Sequence, residues 1–140
     1  MSEKSQDFAS QVERVVCQFE AVLAEMNQLA RRDEKRMRDE TGNVYSVQSL
    51  TIFLGPMRLL LDPNGYNLPG CDGAIDLYLL PPYDPVATLY LEDGEWYIYS
   101  ADPMPEESAT RPTDCGKSAL TKKSIATLLE SIERNAVPSV

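Results

Sequence analysis

Asp93-Gly94 separates two short strand-forming runs, and this arrangement constrains the fold more strongly than any other part of the sequence. The runs are residues 88–92 (TLYLE) and 95–99 (EWYIY), which are rich in β-branched and aromatic residues. A two-residue hairpin turn requires positive φ angles, which Asp and Gly tolerate. The sequence therefore predicts an antiparallel hairpin at this point.

The turn also predicts the register of the hairpin, because a two-residue loop fixes which residues face each other. Four cross-strand pairs are predicted: Leu91 with Trp96, Leu89 with Ile98, Tyr90 with Tyr97, and Glu92 with Glu95. The first two pairs share one face of the hairpin, and Tyr90 and Tyr97 lie on the other face.

The hairpin ends a longer series of short strand-forming runs that are separated by Gly, Pro and Asn. Strands are predicted near residues 47–54, 57–61, 75–80, 86–92 and 95–100. A loop is predicted at residues 62–73, because Asp-Pro-Asn-Gly and Leu-Pro-Gly stand there. Residues 102–116 are rich in Pro, Ser, Thr and acids, and no regular structure is predicted for them.

The segment before the strands carries the apolar stripe of an amphipathic helix. Its apolar residues recur at intervals of three and four positions: Phe8, Val12, Val15, Phe19, Val22, Met26 and Leu29. This pattern predicts a long helix over residues 5–40, whose last ten residues (RRDEKRMRDE) are solvated. Residues 41–43 (TGN) are expected to end it.

A second helix is predicted near residue 121, where Thr121 can cap it. Its apolar face consists of Ile125, Leu128, Leu129 and Ile132. The order helix, meander, helix predicts one α+β domain over residues 1–140. In this domain a long N-terminal helix and a C-terminal helix pack on one face of an antiparallel β-meander of about five strands.

The chain of 140 residues contains no histidine, which excludes Ser-His-Asp and Cys-His catalysis and metal sites built on imidazole. Three cysteines, Cys17, Cys71 and Cys115, lack the spacing of zinc ligands. Reduced thiols are expected, and a disulfide between Cys71 and Cys115 is the alternative. We therefore predict a non-enzymatic protein without a cofactor or metal.

The sequence also gives expectations about where the protein acts. Its apolar runs are far shorter than the ~20 residues of a membrane span. Residues 1–11 carry charges and amides instead of the apolar core of a secretory signal. A cytoplasmic protein that does not bind a membrane is expected.

Charge is segregated along the chain. Residues 59–110 hold ten acids and no Lys or Arg, and the net charge of the chain is -9. Such a charge repels nucleic acid and steers association with basic surfaces. The prediction is a protein partner with a basic surface, bound by a monomer or homodimer of this chain, and no direct contact with nucleic acid.

The predicted protein-binding surface combines the tyrosines and acids of the hairpin with one tyrosine of the extended, Pro-rich segment before it (residues 81–85): Tyr90, Tyr97, Tyr99, Glu92, Glu95, Asp93 and Tyr83. It would serve to hold or neutralise the partner, as an inhibitor, immunity protein or chaperone does. The alternative is that the acids only solubilise an outer face and the tyrosines only pack.

Two other functions remain open. Glu92 and Glu95 face each other across the hairpin, so they are candidates for a carboxylate-based metal site or enzyme. Alternatively, the acids imitate the phosphates of a nucleic acid and occupy a DNA-binding protein.

The order of elements, with Trp96 in the closing hairpin of the meander, is similar to that of frataxin. The first helix is not notably acidic, so the iron handling of that family is not implied here. In size and composition the chain also resembles bacterial secretion chaperones and toxin-neutralising immunity proteins, a likeness that involves no motif.

Overall fold

The computed structural model describes residues 2–100 and 117–135, which form seven strands between two helices. The elements are α1 (Glu3–Glu25), β1 (Leu29–Arg38), β2 (Val44–Leu54), β3 (Met57–Leu68), β4 (Cys71–Leu80), β5 (Asp84–Glu92), β6 (Glu95–Ser100), β7 (Lys117–Ala119) and α2 (Lys122–Asn135). The strands form one antiparallel sheet in sequence order. The predicted α+β meander is thus confirmed, with two strands more than expected. The predicted irregular segment 102–116 lies outside the described residues.

The prediction of one helix over residues 5–40 was wrong. Helix α1 ends at Glu25, after which Asn27 takes a φ of 59° and the backbone N–H of Gln28 donates to the carbonyl of Leu23 at 2.8 Å. Residues 29–38 instead form the edge strand β1. An edge strand is solvated over most of its surface, and Lys and Arg protect such an edge from pairing with another chain. A run of charges therefore fits this strand as well as a solvated helix.

Residues 41–43 do not end a helix but belong to the hairpin turn between β1 and β2. The N–H of Asp39 donates to the carbonyl of Asn43 at 2.8 Å, and the N–H of Gly42 donates back to the carbonyl of Asp39 at 3.0 Å. Gly42 has a φ of 88°. This is a three-residue loop with glycine in the left-handed position, which is a common hairpin connection.

The loop predicted at residues 62–73 was also wrong. Strand β3 continues to Leu68, and β4 starts at Cys71 after a turn at Pro69 and Gly70. Asp-Pro-Asn-Gly lies inside β3, where the register with β4 shifts between Pro63 and Gly65. A β-bulge accommodates a proline inside a sheet, because the bulge removes the need for its N–H.

One apolar core lies between the helices and one face of the sheet. The core face of the sheet consists of alternate residues of neighbouring strands, including Leu50, Ile52, Leu59, Leu61, Ile75, Leu77, Leu89 and Ile98. Phe8, Val12 and Phe19 of α1 are buried in the same cluster. The predicted apolar face of α2 is buried there too, and the Thr121 hydroxyl accepts from the N–H of Ser124 at 3.0 Å as a helix cap. In the described part of the chain, neither helix is both long and apolar enough to span a membrane.

The predicted register of the last hairpin is confirmed for all four pairs. Leu91 with Trp96 and Leu89 with Ile98 lie on the core face, so the opposite face carries Tyr90 with Tyr97. Strand β7 was not predicted, because its three residues are too few to show an alternating pattern.

Candidate functional site

The face of the sheet opposite the helices, called the outer face, carries four tyrosines of strands β4 to β6: Tyr78, Tyr90, Tyr97 and Tyr99. Cross-strand neighbours share a face, and Thr88 with Tyr99, Tyr90 with Tyr97, and Glu92 with Glu95 are neighbours between β5 and β6. These pairs alternate with the buried core pairs. All six side chains therefore project on the outer face, where the tyrosines are half-buried.

The tyrosine rings of the outer face are held by one another and by carboxylates. Tyr90 and Tyr99 make an edge contact with ring centroids 5.1 Å apart. The Tyr99 hydroxyl donates to Glu92 at 3.1 Å, and the Tyr97 hydroxyl donates to Glu95 at 3.4 Å. The sequence-predicted residues Tyr90, Tyr97, Tyr99, Glu92 and Glu95 thus form one contiguous group, defined here as the tyrosine-acid cluster.

Lys117 of β7 lies against this cluster, and its role was missed in the sequence. Its Nζ is 3.4 Å from Glu92 Oε1, 4.5 Å from the centre of the Tyr97 ring and 5.6 Å from that of Tyr99. Hydrogen bonding with the Tyr99 hydroxyl, together with the charge of Glu92, raises the pKa of Lys117. Sequence reasoning missed this contact because β7, a strand of three residues, was not recognised.

Asp76 occupies the outer face one strand further along the sheet. It accepts from the Tyr78 hydroxyl at 3.2 Å and from Thr88 Oγ1 at 3.0 Å. Burial, followed by the charge of Asp76, raises the pKa of Tyr78. No Lys or Arg of residues 2–100 and 117–135 forms an ion pair with Asp76.

The two other predicted binding residues lie at opposite ends of β5. Asp93 is exposed in the hairpin turn, and its N–H donates to Asp72 at 3.1 Å. Tyr83 is 59% exposed in the turn before β5, and its ring packs on that of Tyr78 with centroids 5.8 Å apart. The nine residues of β5 separate them by roughly 30 Å. The structure therefore brings Asp93 close to the tyrosine-acid cluster and leaves Tyr83 remote from it.

An open cleft of about 280 Å³ adjoins the tyrosine-acid cluster. The described residues that line it are Tyr90, Glu92 and Tyr99 on one side and the β3–β4 turn, Pro69 to Cys71, on the other. The thiols of Cys71 and Cys17 are free, whereas Cys115 lies outside the described residues. The cleft thus offers aromatic walls and a carboxylate to a side chain of another molecule.

Within the part of the chain that the structure describes, basic residues pair with only some of the acids of residues 59–110. Asp62 pairs with Lys35 at 2.8 Å, and Glu92 pairs with Lys117. The remaining described acids of this segment form no ion pair with described residues: Asp72, Asp76, Asp84, Asp93 and Glu95. These five acids are therefore not neutralised by an ion pair within the described residues.

Both facing carboxylates of the hairpin, Glu92 and Glu95, are engaged by tyrosine hydroxyls. Within the described ranges, no group of three or more His, Cys, Asp or Glu side chains is placed to hold a metal ion. Glu92 and Glu95 are cross-strand neighbours, but each carboxylate accepts a hydrogen bond from a tyrosine. These contacts suit a rigid surface better than a ligand set.

Comparison of the chain with protein-family models, curated proteins and solved structures finds no match.

Proposed function

We propose that this protein binds a protein partner with a basic surface, and that it holds or neutralises that partner through the outer face of β4 to β7. One observation carries the proposal. Four half-buried tyrosines and three acids share a face that lies opposite both helices, and residues 59–110 bring no Lys or Arg to it: Tyr78, Tyr90, Tyr97, Tyr99, Asp76, Glu92 and Glu95.

Tyrosine is well suited to such a surface. Its ring provides a large apolar contact area with few rotatable bonds, and its hydroxyl bonds to polar groups at the rim. The rings of Tyr90 and Tyr99 pack on each other, and Tyr99 is also tied to Glu92. Because these side chains are already ordered, less conformational entropy is lost when a partner binds.

The acids that form no ion pair with described residues favour electrostatic attraction of a basic partner. A net charge of -9 attracts a basic surface over a distance set by the ionic strength. Association of such complementary surfaces is faster at low salt. This combination supports an inhibitor, immunity or chaperone-like role, which is a binding role without catalysis.

The cytoplasm is the compartment that we propose for this role. Cys17 is exposed and Cys71 is half-buried at the cleft, and both thiols are free. Free, accessible thiols persist in a reducing compartment.

The test is affinity capture from the native host with three versions of the protein at low and high salt. The first is the wild type. The second replaces part of the tyrosine-acid cluster (Glu92→Gln, Glu95→Gln, Tyr97→Ser), and the third is a charge-matched control on the exposed surface of the helices (Glu3→Gln, Glu130→Gln). We expect a stoichiometric partner with the wild type and the control, and its loss with the cluster variant or at high salt. A partner retained equally by all three versions, or none under either salt condition, would contradict the proposal.

A further inference from the structure

We propose that the cleft beside Tyr99 receives a lysine side chain of the partner, and that Lys117 is an internal ligand that competes for the same carboxylate. This inference rests on the proposed function and adds the chemistry of the docking group. It also predicts that Lys117 lowers the affinity of the site for the partner's lysine, because the Glu92 carboxylate already has an ammonium partner.

The surroundings of Lys117 show which group the cluster accepts. An ammonium is stabilised by a carboxylate and by the faces of aromatic rings within about 6 Å. Lys117 makes both kinds of contact, with Glu92 at 3.4 Å and with the Tyr97 and Tyr99 rings at 4.5 and 5.6 Å. The cluster is therefore a site for a primary ammonium that the chain fills from its own sequence.

The cleft shows where a second ammonium enters. Among the described residues, Glu92 and Tyr99 form part of its wall, together with Tyr90 and the turn at Pro69. Lys117 does not line this cleft, so the carboxylate can be reached without crossing β7. A lysine stem lies well along tyrosine rings because its methylene groups are apolar while its ammonium remains at the polar end.

Local charge favours such a guest. Asp72, Asp93 and Glu95 lie near Glu92 at the hairpin end, and among the described residues Lys117 forms an ion pair with Glu92. Lys4 lines a neighbouring cleft together with Asp72, so these four acids stand against two nearby cations. A further cation improves this balance, and it is bound more tightly when Lys117 does not share the Glu92 carboxylate.

The test is the affinity of a fluorescent lysine-rich peptide, with an acetyl-lysine peptide of the same sequence as probe control. Lys117→Met removes the competitor, and Lys122→Met is the matched control. Lys122→Met removes the same charge at a different place, because Lys122 pairs with Glu25 of α1 and both of these side chains are mostly exposed. We expect Lys117→Met to bind the lysine peptide at least about threefold more tightly than Lys122→Met, a difference of roughly 0.65 kcal/mol. Glu92→Gln should weaken binding in both backgrounds.

The outcomes separate this inference from the proposed function. Equal affinity of Lys117→Met and Lys122→Met, or weaker binding by Lys117→Met, overturns the competition while peptide binding by the wild type still supports a cation-binding face. Failure of all versions to prefer the lysine peptide over the acetylated one overturns the docking site and weakens the proposed function with it. Circular dichroism melting checks folding, and Lys117→Gln gives the same comparison if methionine at this position impairs the fold.

Discussion

Arg32 of β1 and Glu20 of α1 form a two-pronged ion pair. Nε of Arg32 donates to Oε2 of Glu20 at 2.8 Å, and Nη2 donates to Oε1 at 2.7 Å. The third nitrogen, Nη1, donates to Glu13, about two helical turns earlier, at 2.8 and 2.9 Å. The guanidinium of Arg32 therefore links edge strand β1 to two carboxylates of helix α1.

Arg32→Lys should lower the free energy of unfolding by roughly 0.5–1 kcal/mol at neutral pH, because lysine keeps the charge but cannot form the fork. Hydrogen bonding from Arg32 lowers the pKa of Glu13 below its ordinary 4.5. The carboxylate's contribution is thus present above about pH 4.5 and is lost as the pH falls through the lowered pKa. Urea unfolding at neutral and acidic pH should show that the difference in the free energy of unfolding between the wild type and Arg32→Lys becomes smaller in acid.

Arg36→Lys is the control for this comparison, since Arg36 lies exposed on the same strand and makes no ion pair with described residues. Equal losses from the two substitutions would show that the fork has no special effect.

The parts of the fold that were predictable are those where a local rule and the tertiary structure agree. Asp93-Gly94 fixed the hairpin register, and the apolar face of α2 is buried as its spacing indicated. Edge strand β1 is different, because it packs little apolar surface and so shows no period of two. Its identity depends on pairing with β2, which is not local information.

The candidate site was predictable only in part, for a similar reason. Tyr90, Tyr97 and Tyr99 share a face because strand alternation requires it. Lys117 reaches that face only because β7 pairs with β6 across residues 101–116, a long-range pairing that a three-residue strand does not reveal in sequence. Tyr83 was grouped with the others by composition, and the length of β5 separates it from Asp93.

Gly73→Ala should destabilise the protein through a single contact. A Cβ at this position would lie 2.9 Å from Cε1 and 3.1 Å from Cδ1 of Phe8, whose side chain is buried. Overpacking of this kind lowers stability by about 1–3 kcal/mol. Phe8→Leu removes the ring that would clash, so the double variant should lose less than the sum of the two single losses. Denaturant unfolding of all four proteins measures this coupling, and strict additivity would contradict it.

Tyr45→Phe should change how the free energy of unfolding depends on pH above neutrality. Burial raises the pKa of Tyr45 from 10.0 to about 12. The unfolded chain therefore ionises at a lower pH than the folded chain, so this stability is complete below about pH 10 and is lost as the pH rises towards 12. The variant lacks the ionisable group and should lose less stability than the wild type between about pH 8 and pH 11. Unfolding measured across this range tests the prediction, and parallel curves would refute it.

Glu95→Lys should separate stability from binding. Glu95 faces Glu92 across the hairpin, and opposed like charges are unfavourable. A lysine in this position makes the pair attractive, so the free energy of unfolding should rise by roughly 0.2–1 kcal/mol, and the gain should fade at about 0.5 M salt. The same change places a positive charge on the proposed binding face, so capture of a basic partner should weaken. Glu95→Gln should lie between the wild type and the lysine variant in both measurements. If Glu95→Lys is more stable and binds the partner at least as tightly as the wild type, the repulsion between Glu92 and Glu95 has no part in recognition. If stability rises while affinity falls, the surface keeps an unfavourable charge pair because that pair contributes to binding.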